Sequence, residues 1–368
     1  MNKEIITSKQ AICIMIFFIT GTSLLIGTAG VAKRDCWISI ILGIIMAVPF
    51  VIIYARILTL FRGKDIYEIV QMVFGKIFGK IIAILYIWYA FHLGALVLRN
   101  FGEFINVVAM PETPMLVPMF MIGVLCIMVV SGGVEIIGRT SKFFFPIIVA
   151  VLVLVNLLGI TELNFDNIKP ILYDGFLPVF KGAFSAFSFP FAETVLFTTI
   201  LFALQPKKSV YNVYLWGLLI GGIIILIICI RNILVLGPDI AEILYFPSHV
   251  AVGRIEIGDF IQRIEVTVSI VLVVGTFIKA SICLYAACKG ISSLFGMKNY
   301  RNIVLQTGLL MIYFSSFIYE STMQMEHWAF EIYSYYALPF QVILPIIILI
   351  AAEIKVRKGD FKISENRS

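Results

Sequence analysis

Residues 185–193 read SAFSFPFAE and lie inside a long apolar run. Pro190 has no N–H group, and its ring collides with the carbonyl oxygen four residues earlier, so a helix kinks or unwinds at this point. Ser188 and Glu193 place polar groups beside the break. Backbone freed in this way cannot face lipid, where each unpaired polar group is costly. We therefore predict a broken membrane helix that lines a cavity.

A second interrupted run occurs near the start of the chain. Residues 21–30 read GTSLLIGTAG and lie within an apolar run from about Lys9 to Val31. Of the predicted spans, this first one and the sixth, which contains Pro190, are the most interrupted. Two sets of five helices that each begin with a broken helix are typical of inverted-repeat transporter folds. The alternative is that the small residues only allow neighbouring helices to approach closely.

The composition indicates a membrane protein. The chain has 368 residues, of which 61% are hydrophobic and 14% are charged, and its mean hydropathy is +1.02. Such a chain has too little polar surface for a water-soluble globule. Many apolar runs approach the roughly 20 residues that cross a hydrocarbon core of about 30 Å.

We predict an all-α integral membrane protein with a single polytopic domain over 1–368. The ten predicted membrane-spanning helices cover 9–31, 37–61, 80–106, 114–133, 142–160, 177–203, 209–236, 261–288, 303–319 and 333–354. The first five-helix repeat is predicted at 9–160 and the second at 177–354. The segment 64–79 is too charged to span, and its apolar spacing predicts a helix lying on the surface.

The net charge of +6 is a topology signal and not a nucleic-acid footprint, because Lys and Arg collect in alternate short loops. This distribution places both termini in the cytoplasm, which requires an even number of spans. An alternative for the first run is a cleaved signal peptide, since Lys3 precedes it and Ala29, Gly30 and Ala32 follow its apolar core. The weak basic region, offset by Glu4, favours a retained helix.

The two breaks predict a ligand site. Half-helix N-termini offer N–H groups to a carboxylate, and freed carbonyls and hydroxyls can hold an ammonium, so a zwitterionic amino acid uses both. The predicted ligand-binding residues are Gly21, Thr22, Ser23, Tyr89, Phe187, Ser188, Phe189 and Glu193. The alternative role for Glu193 is structural, as a carboxylate bonded to freed backbone N–H groups.

Other charges inside the predicted spans are candidates for function, because charge is costly at bilayer depth. Lys279 lies well inside the eighth span, and freed carbonyls near Gly21 are its predicted acceptors, in the place of a bound cation. The alternative is that Lys279 snorkels toward the cytoplasmic face. Arg99 and Glu103 are four residues apart, so they share a helix face and are predicted to form a structural ion pair.

Several functions have no support in the sequence. The motifs HExxH, GxSxG and GxxxxGK[ST] do not occur, so we predict that the chain is not an enzyme. No C-x-x-C occurs and no His clusters with the six cysteines, which indicates neither a metal site, a cofactor nor a disulfide framework. The cysteines are predicted to pack as small hydrophobic side chains.

A set of stretches across the whole chain resembles the membrane-embedded B subunits of bacterial spore germinant receptors. These stretches are ITSKQ (6–10), GTSLL (21–25), KRDCWIS (33–39), PETP (111–114), GGVEIIGRTSKFFFP (132–146), NIKPILYDGFLPVFKGAFSAFSFPFAE (167–193) and FIQRIE (260–265). Many members of that family have a proline soon after the first-span glycine. Residues 25–28 contain Gly27 and no proline, so the first break is expected to be softer here.

The resemblance implies a fold and a function. The family belongs to the amino acid–polyamine–organocation superfamily, which implies a LeuT-like fold of two inverted repeats with helices 1 and 6 broken. It implies a germination sensor in the spore inner membrane that binds a small germinant such as an amino acid and acts with A and C subunits. Binding would favour one of two packings of the broken helices. The alternatives are a proton-coupled amino-acid transporter and, third, a ligand-opened conduit for water or ions.

Overall fold

The computed structural model describes residues 4–23, 27–205, 208–255 and 264–358, and these are almost entirely helical. The principal helices of the described residues are α1 (Ser8–Thr20), α2 (Cys36–Leu60), α3 (Ile66–Phe104), α4 (Leu116–Gly132), α5 (Val134–Leu158), α6 (Phe176–Ala186), α7 (Val210–Leu236), α8 (Val266–Leu294), α9 (Val304–Phe317) and α10 (Leu344–Arg357). Two short helices, Pro238–Ile243 and Pro247–Gly253, connect α7 toward α8. Before α10, the chain is helical over Thr322–His327, Trp328–Ile332, Tyr333–Leu338 and Pro339–Ile343.

Long apolar helices make this a membrane fold. Among the described residues, six helical stretches are long and apolar enough to cross a membrane, namely Gly30–Leu60, Ile66–Ala109, Val134–Glu162, Val210–Leu236, Val266–Leu294 and Thr322–Arg357. The helices Ser8–Thr20 and Leu116–Gly132 are apolar but shorter. Helical segments thus occupy the regions predicted as spans, with shifted ends and with the interruptions described next.

The first predicted span is interrupted after α1. The α-helix ends at Thr20, Ser23 is again helical, and a 3₁₀ segment covers Gly30–Asp35. Gly27 and Ala29 between them have left-handed backbone, with φ of 74° and 62°. Residues 24–26 lie outside the described part of the chain. The first span is therefore not one continuous α-helix over 9–31, because α1 ends at Thr20 and the backbone is left-handed at Gly27 and Ala29.

The sixth predicted span is broken at the proline. After α6 the backbone is π-helical over Phe187–Phe191, where Phe189 leaves helical geometry with φ of −131° and ψ of 109°. It continues as 3₁₀ helix over Ala192–Thr199 and Leu201–Ala203. Long 3₁₀ runs are uncommon because their hydrogen bonds are poorly aligned. The whole second half of this span thus departs from α-helical geometry, as Pro190 predicted locally.

Two glycines bring α1 onto α8. A Cβ atom on Gly275 would lie 2.7 Å from the Cα of Gly21, and one on Gly21 would lie 2.9 Å from the carbonyl oxygen of Gly275. No side chain fits between backbones at this distance, so both positions require glycine. The crossing places the first break directly beside α8.

The predicted surface helix at 64–79 is present as the first part of α3. Its apolar side chains, Ile66, Ile69, Val70 and Val73, are at most 4% exposed, so the apolar stripe packs against protein rather than facing lipid. The hydroxyl of Tyr67 donates to a backbone carbonyl of α8 at 2.9 Å. Gly75, at φ 79°, then interrupts the helix before the part that crosses the bundle.

The cysteines follow the sequence expectation only in part. Cys13, Cys126, Cys283 and Cys288 are free and buried, as predicted. Cys36 and Cys229 form a disulfide between the start of α2 and α7, which corrects the expectation that no pair is joined. These two residues are 193 positions apart, and only the packing of α2 against α7 brings them together.

Candidate functional site

A buried ion pair lies where the two broken spans meet α8. Lys279 and Glu193 are both 0% exposed, and the Lys279 Nζ lies 2.5 Å from a carboxylate oxygen of Glu193. The same ammonium donates to the hydroxyl of Thr22 at 3.2 Å. It also lies over the rings of Phe18 and Phe189, at 5.2 and 4.8 Å from their centroids, a geometry that attracts a cation. Lys279 therefore links α8 to both breaks.

The other oxygen of Glu193 connects the pair to the segment before α10. The hydroxyl of Tyr333 donates to Glu193 Oε1 at 2.5 Å. Tyr333 is in turn hydrogen-bonded to the hydroxyl of Tyr89, on α3, at 3.1 Å. Both tyrosines are at most 4% exposed. Each carboxylate oxygen of Glu193 thus has its own donor, one charged and one neutral.

Gln341 hydrogen-bonds both to Tyr89 and to the sixth-span break. It lies in the π-helical segment Pro339–Ile343 and is 0% exposed. Its amide donates to the hydroxyl of Tyr89 at 2.8 Å and to the carbonyl of Ser188 at 2.9 Å. The Ser188 hydroxyl donates back to its amide oxygen at 3.2 Å, and the Tyr54 hydroxyl donates to its main-chain carbonyl at 2.6 Å.

We call the connected side chains the central network. Its members are Thr22, Lys279, Glu193, Tyr333, Tyr89, Gln341 and Ser188. The network carries one positive and one negative charge, and every member has a polar partner. Removing either charge leaves the other buried without compensation, which makes the network sensitive to any group that competes for one partner.

Similarity to known proteins identifies the family of this chain. Residues 5–324 match the spore permease family, described as spore germination protein. The chain belongs to this family. Spore germination protein KB of Bacillus subtilis (strain 168) is 29% identical over 364 residues, which cover 98% of each chain. The family inferred by resemblance from the sequence is thus confirmed.

Solved structures identify the fold of this spore germination family member. Mhp1, a nucleobase-cation-symport-1 family transporter in a closed conformation with bromovinylhydantoin bound, superposes with a TM-score of 0.69 at 12% identity, over 99% of this chain and 95% of that one. MhsT in complex with L-phenylalanine gives a TM-score of 0.67 at 12% identity, over 98% and 91%. Together with the helices described above, these matches confirm an all-α, LeuT-like membrane fold.

The structure brings together most of the residues predicted at the two breaks. Thr22, Tyr89, Ser188 and Glu193 belong to the central network, and the Phe189 ring lies under the Lys279 ammonium. This Lys279 side chain is buried and does not extend to the surface. Its partners are a carboxylate and a hydroxyl rather than the predicted backbone carbonyls near Gly21.

Three predicted site residues have other surroundings. Gly21 forms the close crossing with α8 and offers no side-chain group. The Ser23 hydroxyl donates to the carbonyl of Ile19, four residues earlier, at 2.5 Å. The ring of Phe187 packs against Phe50 of α2, with centroids 5.1 Å apart. These contacts place Ser23 and Phe187 outside the central network.

The predicted ion pair on α3 is present and separate from the central network. Arg99 and Glu103 lie 2.8 Å apart, with side chains only 6% and 5% exposed. Arg99 also donates to the carbonyl of Ser316 at 2.8 Å, and Thr322 donates to Glu103 at 2.8 Å. The pair therefore ties α3 to the end of α9 and to the following helix, as expected of a structural pair.

The sequence reasoning missed Tyr333, Gln341 and Tyr54. Tyrosine is common in membrane helices and gives no signal by itself. Gln341, however, is an isolated amide in the apolar run LPFQVILP at 338–345, and an uncharged polar side chain at that depth also needs partners. That signal was sufficient to propose Gln341 as a buried hydrogen-bonding residue, though not to identify what it contacts.

A polar cavity of about 770 Å³ lies away from the central network, where the N-terminal segment meets the end of α8. Its lining includes Glu4, Asp65, Lys289, Tyr300 and Arg301. Burial raises the pKa of the Asp65 carboxyl, and the Lys289 ammonium, 3.7 Å away, opposes that rise. Within the described residues, no group of three or more His, Cys, Asp or Glu side chains is placed to hold a metal ion.

Proposed function

We propose that this chain is the ligand-sensing membrane subunit of a spore germinant receptor. It binds a small amino-acid germinant at the breaks of the first and sixth spans and signals to partner A and C subunits to start germination. The observation that carries the proposal is the buried Glu193–Lys279 pair, 2.5 Å apart, whose ammonium also donates to Thr22 at the first break at 3.2 Å. The names of the relatives, all of them spore germination proteins, support the same process.

The chemistry of the pair favours a zwitterion. A ligand carboxylate can replace Glu193 as the partner of Lys279, and a ligand ammonium can replace Lys279 as the partner of Glu193. Each charge then exchanges one partner for another, so neither is left buried without compensation. MhsT, which shares the fold, is described in complex with L-phenylalanine. That description supports an amino acid as the class of ligand here.

The same exchange provides a signal. The pair joins α8, the first break and the sixth span in the packing described above. A ligand that separates the two charges favours a second packing, and its differential affinity for the two sets the size of the shift. In this scheme Lys279 takes the place of a bound cation between the first break and α8, and partner subunits respond to the change.

The finer architecture is part of the proposal. Ten spans arranged as inverted repeats at 9–160 and 177–354, with both termini on the cytoplasmic side of the spore inner membrane, fit the helices of the described residues and the loop charges. The superpositions over nearly the whole of Mhp1 and MhsT support this arrangement.

A second candidate function is proton-coupled amino-acid transport. The observation in its favour is that the same LeuT-like fold is found in a transporter, Mhp1. Each member of a buried carboxylate–ammonium pair can also gain or lose a proton when the other member moves away. Receptor and transporter share the ligand site and differ in whether the ligand crosses the membrane.

The test is germination of spores that carry Tyr333→Phe or Glu193→Gln, scored against a panel of single amino acids. Tyr333→Phe removes one donor to Glu193 and keeps the ring. Tyr67→Phe is the matched control, because Tyr67 is equally buried and donates to a backbone carbonyl far from the breaks. We expect the site variants, at normal abundance, to lose or change their germinant response, and the control to germinate normally.

Uptake separates the two candidate functions. Labelled amino acids that support germination are presented to proteoliposomes of the purified chain, with and without a proton gradient. Binding without accumulation supports the receptor. Normal germination in the site variants, together with gradient-driven uptake that the same variants abolish, would refute the receptor and establish the transporter.

A further inference from the structure

The non-helical segment before α1, residues 4–7, connects the first and sixth spans. Ile6 is 0% exposed and pairs with Leu204 as a parallel β-bridge. Its amide donates to the carbonyl of Ala203 at 2.8 Å, and its carbonyl accepts from the amide of Gln205 at 3.0 Å. These partners lie at the end of the sixth span, and α1 begins directly after the segment. The ends of the two broken spans are therefore hydrogen-bonded through Ile6.

The carboxylate of Glu4 ties the same segment to α8. One of its oxygens accepts from the hydroxyl of Tyr285, on α8, at 2.9 Å, and the other accepts from the hydroxyl of Tyr300 at 2.7 Å. The Arg301 guanidinium lies 3.5 Å from the second oxygen. Both tyrosines are at most 5% exposed, and the Glu4 side chain is 15% exposed. Hydrogen bonds to a charged acceptor are roughly twice as strong as neutral ones, so Glu4 holds the segment strongly against α8.

A capping box transmits movement between this segment and α1. The Gln10 amide donates to the Thr7 hydroxyl at 3.2 Å, and the Thr7 amide donates to the Gln10 side-chain oxygen at 2.8 Å. These reciprocal bonds fix the chain where it enters the helix. The Ile5 amide also donates to the Glu135 carboxylate of α5 at 2.8 Å. Residues 4–7 thus cannot keep all their contacts if α1 moves relative to α5 and α8.

The Glu4 contact lies close to the central network along α8. Tyr285 follows Lys279 by six residues, which is about 9 Å of helix at 1.5 Å per residue. Thr22, which accepts from Lys279, lies at the break of the span that the segment precedes. A ligand that changes the spacing between the first break and α8 therefore acts on the Glu4–Tyr285 contact through α1 and α8.

We propose that residues 4–7 form a latch, which holds the two broken spans against α8 in the packing described above and opens when a germinant binds. The inference rests on the proposed function, because it gives the regulation of the same ligand site. Ile6 keeps the ends of the first and sixth spans together, so the contacts that part are those of Glu4. Glu4, Tyr300 and Arg301 line the polar cavity of about 770 Å³, so opening the latch changes the surface at this end of the bundle.

The first test is the amino-acid concentration that gives half-maximal germination. The probe is the single L-amino acid that germinates unaltered spores at the lowest concentration. Tyr285→Phe combined with Tyr300→Phe removes two donors to Glu4 and keeps both rings. The latched packing then loses two hydrogen bonds to a charged group, so the half-maximal concentration should fall about tenfold or more. Glu4→Gln, which removes the charge, should shift it in the same direction.

Tyr67→Phe is the matched control for these variants. Tyr67 is also 0% exposed, and its hydroxyl donates to the carbonyl of Ala286, the residue after Tyr285 on α8. This variant loses a buried hydrogen bond on the same turn of α8 and leaves the contacts of Glu4 in place. Its half-maximal concentration should equal that of unaltered spores at the same protein abundance.

Chemical labelling measures the opening of the latch directly. Ile6→Cys places a thiol at a position that is 0% exposed while the latch is closed. In membrane vesicles prepared from the spores, N-ethylmaleimide should modify it several-fold faster when the amino acid is present. Ala11→Cys on α1, equally buried, should react slowly in both conditions, and the unaltered chain gives the background of its own cysteines. This readout keeps Glu4 and both tyrosines, so it stays valid if the tyrosine variants fail to fold.

Two results would overturn the latch. One is a half-maximal concentration that is unchanged or higher in the Tyr285–Tyr300 double variant at normal abundance. The other is labelling of Ile6→Cys at the same rate with and without the amino acid. If Tyr333→Phe and Glu193→Gln change the germinant response in the same experiment, only the latch fails. If those site variants also germinate normally, the proposed receptor function fails and the latch fails with it.

Discussion

The sharpest prediction concerns the Glu193–Lys279 pair at the centre of the bundle. Both side chains are 0% exposed, and their charged atoms lie 2.5 Å apart. Glu193→Gln leaves the Lys279 ammonium with the Thr22 hydroxyl and two aromatic rings. Lys279→Met leaves the Glu193 carboxylate with the hydroxyl of Tyr333. Each single change thus leaves one buried charge without a counter-charge.

The expected magnitude follows from that arrangement. Removing one member of a buried pair costs about 3–5 kcal/mol, because the remaining charge stays desolvated. The double variant, Glu193→Gln with Lys279→Met, removes both charges and is expected to lie within about 2 kcal/mol of the unaltered protein. The double-mutant cycle should therefore give a coupling energy of about 4 kcal/mol or more, large for two residues in contact.

The assay is unfolding of the purified chain in mixed micelles, followed by circular dichroism, for the two single variants and the double variant. Arg99→Met, Glu103→Gln and their combination form the matched control, because that pair is also buried and lies 2.8 Å apart. Both cycles should show strong coupling. Only the Glu193–Lys279 double variant should lose the germinant response in spores at normal protein abundance.

Two results would refute this reasoning. Single variants that each cost less than about 1 kcal/mol, with additive effects, would mean that the two charges are not paired in a dry core. Loss of the germinant response in the Arg99–Glu103 double variant as well would mean that stability, rather than the ligand site, explains the phenotype.

Three further predictions test the packing and charge around the network. Gly21→Ala or Gly275→Ala should lower the free energy of unfolding by about 1–3 kcal/mol, because the added Cβ lies less than 3 Å from a backbone atom. The control is Gly30→Ala, where an added Cβ has no atom within 4 Å, and this variant should unfold like the unaltered chain. Gln341→Leu should lower the free energy of unfolding in micelles by about 3 kcal/mol, because the hydroxyl and the carbonyl of Ser188 in the broken sixth span lose their partner. A loss below about 1 kcal/mol would contradict the hydrogen bonds described. Burial raises the pKa of the Asp65 carboxyl above its ordinary value of 3.8. The stabilisation that this shift gives the folded chain is therefore complete below pH 3.8, and it is lost as the pH rises through the raised pKa. Relative to the unaltered chain, Asp65→Asn, which keeps a helix-capping side chain, should gain in Tm as the pH rises over this window, and a trend of opposite sign would show that the pKa is lowered.

Local sequence patterns were sufficient for several features that lie within one span. Arg99 and Glu103 are four residues apart, so the helix repeat alone brings them to one face, and the pair is present at 2.8 Å. Pro190 interrupts its own span because its ring and its missing N–H act within four residues. Glu193 and Lys279 were likewise expected inside membrane spans, since both lie in long apolar runs, but the sequence left open whether Lys279 snorkels toward the surface.

These local patterns could not predict which distant helices are in contact. The partners of Lys279 were predicted to be backbone carbonyls, whereas the structure pairs it with Glu193, 86 residues away. Tyr333 and Glu193, which are hydrogen-bonded, are 140 residues apart in the sequence, and Gln341 and Ser188 are 153 apart. Nothing in the spacing of a tyrosine or a glutamine shows which helix will lie opposite. The disulfide between Cys36 and Cys229 was missed for the same reason.

The sequence by itself determined that this chain is a membrane protein, where its first and sixth spans break, and that Glu193 and Lys279 lie within membrane spans. These properties depend on hydropathy, backbone chemistry and spacing, which act over one or two helical turns. The tertiary structure alone decided that the two breaks meet at Lys279, and that one carboxylate, two tyrosines and a glutamine enclose them. The reason is physical: depth in the membrane is a local property of the chain, whereas a partner is selected by the packing of all the helices, down to the single glycine contact that brings α1 onto α8.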